Sequence, residues 1–339
     1  MIESIESNLQ VGHQRQVVRR HQRHAIARQR DLEDLDLAFV IDVIEVEDGE
    51  EAWVGATPAQ VLAAFRADGG LFRSPERAGI DLIAASGADV LVESTPLQHG
   101  GQLAIAHIDA AFDCGLDIVT VNKGPIAWDY RRLRDRADAE GRRLRHEGVT
   151  MDGCPVYNLA EFCLPGDRVL GFRGVLNSTT NYVLDAMTEG ASLQSAIAEA
   201  VDAGFAETDP SYDLEGHDAA AKVAALANVL LDADITPDAI PRDSIAELSQ
   251  DDVAKVVAYG RRLRLIGEAQ RIEDGDVTAR VTLEPVHSHD TMYWISGTSS
   301  CLILETELAG TVEIVERNGL LTQTAYAVYA DLLTIARSR

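Results

Sequence analysis

Apolar and polar positions fall into recognisable blocks from about residue 36 onward. LAFVIDVIEV (37–46) is β-branched and apolar, the pattern of a buried strand. TPAQVLAAFRADGG (57–70) predicts a helix, with Thr57 as N-cap, Pro58 at the first helical position and glycines at its end. ADVLVESTP (88–96) and LDIVTVNKGP (116–125) are short strands running into turns, and GQLAIAHIDAAFDCG (101–115) between them is helical and ends at Gly115. Strands alternating with helices predict βαβ units and a parallel sheet. Ligands of such sheets sit beyond the carboxyl ends of the strands, here ESTP and NKGP.

Beyond about residue 145 the pattern changes. GDRVLGFRGVLNSTTNYVLDAM predicts a strand, a loop and a helix start; helices are expected over 193–204 and 216–231. Lys255, in DDVAKVVAYGRRLR (251–264), reads as an ordinary helix surface residue. The stretch 277–316 is rich in Thr, Val and Ile with period-two patches such as CLILETELAGTVEIVE, the mark of antiparallel strands. TAYAVYADLLTIA (324–336) is a closing amphipathic helix. The fold class is therefore α/β: a nucleotide-type parallel-sheet unit over 1–146, an α+β unit over 147–316, and a C-terminal helix in 317–339 that returns to the first unit.

Composition narrows the function. Of 339 residues, 30 are Lys or Arg and 55 Asp or Glu, a formal charge of -25. That charge excludes nucleic acid as a partner, since phosphate binding wants clustered cations. Spread acid with three lysines against 27 arginines resembles a surface adapted to high cytoplasmic salt. No run of eighteen apolar residues spans a membrane, and the polar N-terminus lacks an apolar signal core, so a cytoplasmic location is expected. The four cysteines, Cys114, Cys154, Cys163 and Cys301, have neither CxxC nor Cys/His zinc spacing and read as reduced thiols. Residues 1–30 break the pattern: they carry a net +4, while 31–339 carry -29. A basic arm, a helix, or residues from a wrong start or frame all fit them; the abrupt break favours the last.

The candidate chemistry lies on the lysines. Lys222 follows Asp218 by one helical turn, so the two share a face. An ordinary i,i+4 ion pair explains that spacing on its own. The setting argues for more: Glu207, Asp209, Asp213 and Glu215 precede it on a loop with Pro210 and Gly216, and Ala219, Ala220 and Ala221 leave the stretch sterically open. Lysine, unlike arginine, can exchange its proton when desolvated. Lys123 stands in the NKGP turn at a strand end.

Five stretches then point one way: VNKGPIA, EGVTMDGCPVYNLAE, GFRGVLNSTTNYVLDAM, GFAETDPSYDLEGHDAAAKVAALANVL and TAYAVYADLL. In order and spacing, across about residues 85–339, they resemble homoserine dehydrogenase. The resemblance implies a Rossmann-type domain and an α+β catalytic and dimerisation domain. It implies interconversion of L-homoserine and L-aspartate 4-semialdehyde with NAD or NADP, in a homodimer. Lys222 would be the general acid/base, Lys123 would lie between cofactor and substrate, and Glu207 and Asp218 would hold the substrate ammonium, with Asp213 in the same cluster. Thr179 would line the substrate site, Thr95 the nicotinamide side, and Gly319 the remnant of a C-terminal glycine turn. EGVTMDGCP resembles a sodium-binding turn, with Glu147 and the carbonyls of Thr150, Asp152 and Cys154 as ligands; a plain structural turn fits these residues equally. A second cation near Lys222 is expected to lower its pKa.

Two departures matter. The family opens with a strand and a glycine-rich pyrophosphate loop, whereas the only glycines before residue 55 here are Gly12 and Gly49. Asp152 and Ser178 stand where small residues or glycine are usual. An alternative reading follows, a non-catalytic relic that binds an amino acid but not the dinucleotide. No appended regulatory domain is expected after the closing helix.

Overall fold

The computed structural model describes residues 39–43, 51–56, 80–272, 275–319 and 321–338. The basic segment and the helix expected at 57–70 lie outside these residues. The first unit is a five-stranded sheet of β1 (Phe39–Val43), β2 (Glu51–Ala56), β3 (Val90–Glu93), β4 (Asp117–Thr120) and β5 (Leu144–Arg145), in the order β2-β1-β3-β4-β5. β1, β3, β4 and β5 are parallel, and β2 is an antiparallel edge strand that the sequence pattern did not reveal. All four residues of β3 and of β4 are buried, as expected of strands covered on both faces. The covering helices are α1 (Ile80–Ser86), α2 (Gln102–Asp113), α3 (Lys123–Trp128) and α4 (Tyr130–Glu140). Leu91, Ile108, Phe112, Ile118 and Leu133 form the core between them.

The NKGP segment is not the expected turn. Asn122 Oδ1 accepts from Gly124 N at 2.8 Å, an N-cap that starts α3 at Lys123. Pro125 fits that first turn because its missing N–H would have no intrahelical partner there.

The second unit contains β6 (Val169–Val175), α5 (Ser178–Thr188), α6 (Leu193–Asp202), α7 (His217–Leu230), α8 (Gln250–Ala258), β7 (Arg261–Arg271), β8 (Val277–His287), β9 (Ser300–Thr306) and β10 (Thr311–Glu316). Its strands form an antiparallel sheet in the order β10-β9-β6-β7-β8. The segment 251–264 divides between two elements. α8 stops at Ala258, Gly260 takes the left-handed conformation at φ +69°, and the chain leaves as β7. Lys255 is exposed and pairs with Asp252 at 2.8 Å, the surface role expected of it.

α7 runs through the centre of this unit. Ala219, Ala220, Ala221, Ala224, Ala225 and Ala227 are all buried. The alanine run therefore leaves no open space; it lets α7 approach its neighbours closely. In α9 (Leu321–Arg337), Asp331 accepts from Glu147 N at 2.8 Å and meets Arg145 Nε at 3.4 Å. Among the described residues no helix is long and apolar enough to cross a membrane.

Candidate active site

Two strand ends of the first sheet are tied together by buried polar groups. Glu93, fully buried at the end of β3, accepts from Thr95 N at 2.9 Å, from Thr95 Oγ1, and from Thr120 Oγ1 at 2.8 Å. Asn122 Nδ2 donates to Thr95 O at 2.8 Å while its Oδ1 caps α3. Thr95 and Lys123 are thus fixed on one rim. Gly101, at φ +66°, packs against Gly124; a Cβ on Gly101 would come within 2.7 Å of the Gly124 carbonyl carbon.

From that rim Lys123 reaches the start of α7. Its Nζ lies 3.2 Å from Asp218 Oδ1, and Lys222 Nζ lies 3.1 Å from Asp218 Oδ2. One buried carboxylate therefore holds both lysines, each about four-fifths buried. Lys222 Nζ also donates to Leu176 O at 2.7 Å. Asn177 completes the arrangement: its Nδ2 donates to Asp213 Oδ1 at 2.7 Å and Asp218 Oδ2 at 2.8 Å, and its Oδ1 caps α5 by accepting from Thr180 N. Thr179, buried in the first turn of α5, donates to Phe205 O at 3.2 Å and hydrogen-bonds to Asp213.

The electrostatics follow from this geometry. Burial alone would raise the Asp218 carboxyl, but Lys222 and Lys123 outweigh it and hold the group far below the usual range. Burial pushes Lys222 down, yet Asp218 outweighs it and the net shift is upward. The lowered lysine pKa expected from a second nearby cation is therefore not what the structure shows, because the carboxylate between the lysines dominates. Asp213 is raised by burial and by Asp218, against the hydrogen bonds from Thr179 and Asn177.

Lys123, Lys222, Asp218, Asp213 and Thr179 thus come together as a cluster. Glu207 does not join it; it is exposed and makes no hydrogen bond or ion pair with any described residue. Gly319 sits where a Cβ would overlap Asp152 Oδ2 and approach Glu316 Oε2 at 3.4 Å. Glu316 was not singled out from the sequence, although the inward alternation Val312, Ile314, Glu316 along β10 places an acid on an apolar face. Asn177 was also missed; an asparagine directly before STT is a readable N-cap signal.

The proposed cation turn lies beside α9. Glu147 is buried and accepts from Tyr157 N at 2.9 Å and Asn158 N at 2.6 Å. Burial, opposed by those N–H groups, pushes its carboxyl up to about 7. Met151 and Asp152 take left-handed backbone, at φ +51° and +46°. Thr150 is buried, with Oγ1 3.4 Å from Tyr157 OH, and the Cys154 carbonyl accepts from Val156 N at 2.9 Å. Among the described residues no group of three His, Cys, Asp or Glu side chains could hold a metal ion. A monovalent ion on backbone carbonyls needs no such group, and a buried carboxylate without a cationic partner fits one.

The family model for homoserine dehydrogenase matches residues 155–333. The NAD(+)-dependent homoserine dehydrogenase of Pseudomonas canavaninivorans is 36% identical over 260 residues, 76% of this chain and 73% of that protein. The homoserine dehydrogenase of Methanocaldococcus jannaschii is 36% identical over 265 residues, 78% of this chain and 77% of that protein. The solved homoserine dehydrogenase of Thermoplasma acidophilum superposes with a TM-score of 0.73 at 25% identity, covering 87% of this chain and 90% of that one. The chain belongs to the homoserine dehydrogenase family.

Proposed function

We propose that this chain interconverts L-homoserine and L-aspartate 4-semialdehyde with NAD or NADP, with Lys222 as the general acid/base. The observation that carries this reading is the state of Lys222 Nζ. Two of its three N–H bonds are committed, to Leu176 O and Asp218 Oδ2. The third is left for a substrate oxygen. Asp218 keeps the amine protonated, so at neutral pH it is poised to give a proton to the aldehyde oxygen during reduction. In the oxidation direction the amine must first lose its proton; it then takes the hydroxyl proton as the carbon gives up a hydride.

The nicotinamide dinucleotide, when bound, supplies or accepts that hydride. On this chain's side, Thr95 and Lys123 would face it from the strand ends, and Gly319 would leave room from the other side. Lys123 adds positive charge beside the reacting oxygen. Asp213 and the exposed Glu207 add negative field that draws in an ammonium group. Glu147, with the carbonyls of Thr150, Asp152 and Cys154, would hold a sodium ion as a structural counter-charge; no step depends on it. We also read 1–146 as the cofactor unit, 147–316 as the catalytic and dimerisation unit, and 317–339 as the returning helix.

Lys222→Ala and Lys222→Arg test the central role. Both variants should fold, and both should lose turnover by at least about 100-fold, since arginine keeps its proton at working pH. An active arginine variant would leave Lys222 only a charge role.

A further inference from the structure

The junction between β6 and α5 holds the lysine–carboxylate cluster from two sides. Leu176 O accepts from Lys222 Nζ at 2.7 Å, and the next residue, Asn177, turns its side chain to the carboxylates. Asn177 is buried, and both ends of its amide are engaged. Nδ2 donates to Asp213 Oδ1 at 2.7 Å and to Asp218 Oδ2 at 2.8 Å. Oδ1 accepts from Thr180 N at 2.8 Å, the cap of α5. These partners fix the orientation of the amide. A flip would set its oxygen against two carboxylates and its NH2 against a backbone N–H.

The terminal torsion of an aspartate is broad, so the plane of the Asp218 carboxylate is set by what bonds to it. Oδ1 faces Lys123, and Oδ2 faces both Lys222 and Asn177. The two lysines are charges on flexible stems. When Lys222 passes its proton to a substrate oxygen it becomes a neutral amine, and its attraction for Oδ2 falls with the charge. Lys123 then pulls on the carboxylate from the other side. The Asn177 amide does not titrate, so its hold on Oδ2 is the same in both protonation states of Lys222. Its bond to Thr180 N ties that hold to the backbone of α5. The same amide also bridges Asp213 and Asp218, two carboxylates that repel each other.

We propose that Asn177 is a positioning residue for the proton transfer: its amide bridges Asp213 and Asp218 and keeps Asp218 Oδ2 aimed at Lys222 through the catalytic cycle. This deepens the reading of Lys222 as acid/base and rests on it. Asn177 acts through Asp218, not on the substrate.

Asn177 has two jobs, capping α5 and bridging the carboxylates, and three variants of the full chain separate them. Asn177→Ser and Asn177→Gly keep a residue that serves as an N-cap, whereas Asn177→Ala does not. None of the three can donate to both carboxylates; the serine hydroxyl has a single proton on a shorter side chain. The bridge therefore predicts that kcat for homoserine oxidation falls about 10- to 100-fold in the serine and glycine variants, and as far in the alanine variant. The KM values for homoserine and for the dinucleotide should stay within about threefold of wild type, because the loss falls on the transition state. In thermal melting the alanine variant should lie below the serine one, since it alone also loses the cap. A kcat that follows the cap instead, near wild type with serine and glycine and low only with alanine, overturns the assignment. So does a loss carried mainly by the KM values, or failure of both the serine and glycine variants to fold, which would mark a structural role. Lys222→Ala run alongside keeps the two readings apart. If it is inactive while Asn177→Ser turns over as wild type, the Asn177 assignment alone falls. If Lys222→Ala turns over as wild type, the acid/base reading falls and takes the assignment with it.

Discussion

Replacing Asp218 with asparagine changes one atom and removes the charge that organises the site. Asp218 meets Lys123 at 3.2 Å and Lys222 at 3.1 Å, and it is only 8% exposed. Breaking a buried ion pair by deleting one partner typically destabilises by about 3–5 kcal/mol, because the remaining charge stays buried. Two ammonium groups are left here, within reach of each other. The melting temperature should therefore fall by roughly 4–7 °C at neutral pH.

The pH dependence gives the sharper check. The Asp218 carboxyl is held far below its ordinary value in the folded chain. Its contribution is thus present above the unfolded value, about 3.9, and is lost as pH falls through the folded value. Lys222 is raised in the folded chain. Its contribution is present below the unfolded value, about 10.4, and is lost as pH climbs through the folded one. Asp218→Asn removes both, so the stability gap to wild type should be widest between about pH 4 and 10 and close at either end. Turnover should drop about 100-fold, since misplacing reacting groups by about 1 Å has that effect. Calorimetric melting across pH, with wild type and variant side by side, is the assay. An asparagine variant that melts with wild type at neutral pH, or a gap that ignores pH, would refute the clamp.

Three further outcomes are expected. Gly101→Ala forces a side chain into left-handed backbone and onto the Gly124 backbone, and should destabilise by about 2–5 kcal/mol, read as a lower denaturant midpoint. Homoserine oxidation should rise with pH at close to unit slope in log kcat through the alkaline range below the Lys222 pKa, while semialdehyde reduction stays flat there; stopped-flow rates in both directions decide it. The formal charge of -25 should make the fold more stable in molar KCl than in dilute buffer, and equal melting in both would remove the salt-adaptation reading.

Much of this was legible in the sequence, for physical reasons that differ by element. The buried strands β3 and β4 are short apolar runs bounded by turns, and α7 carries Asp218 and Lys222 at a helical spacing that puts them on one face. Lys123 was placed at the right strand end, but its helix was missed because Asn122 caps through a single side-chain oxygen. β7 was hidden because KVVAYGRRLR keeps helical composition through Gly260, and only the backbone shows the break. The direction of the Lys222 shift could not be read from spacing. It depends on a carboxylate pinned between two lysines that lie 99 residues apart in the chain. Glu316 was written in the period of β10, but its partner surface, Gly153 and Gly319, comes from distant segments.

The proposed reaction makes homoserine oxidation depend on Lys222. Its most direct test is homoserine-dependent reduction of NAD and of NADP by the full chain in concentrated KCl, with Lys222→Ala alongside. Wild type should turn over with one or both dinucleotides, and the variant with neither. A folded wild-type chain that binds homoserine yet reduces neither dinucleotide would contradict it, and would leave a substrate domain without a working cofactor site.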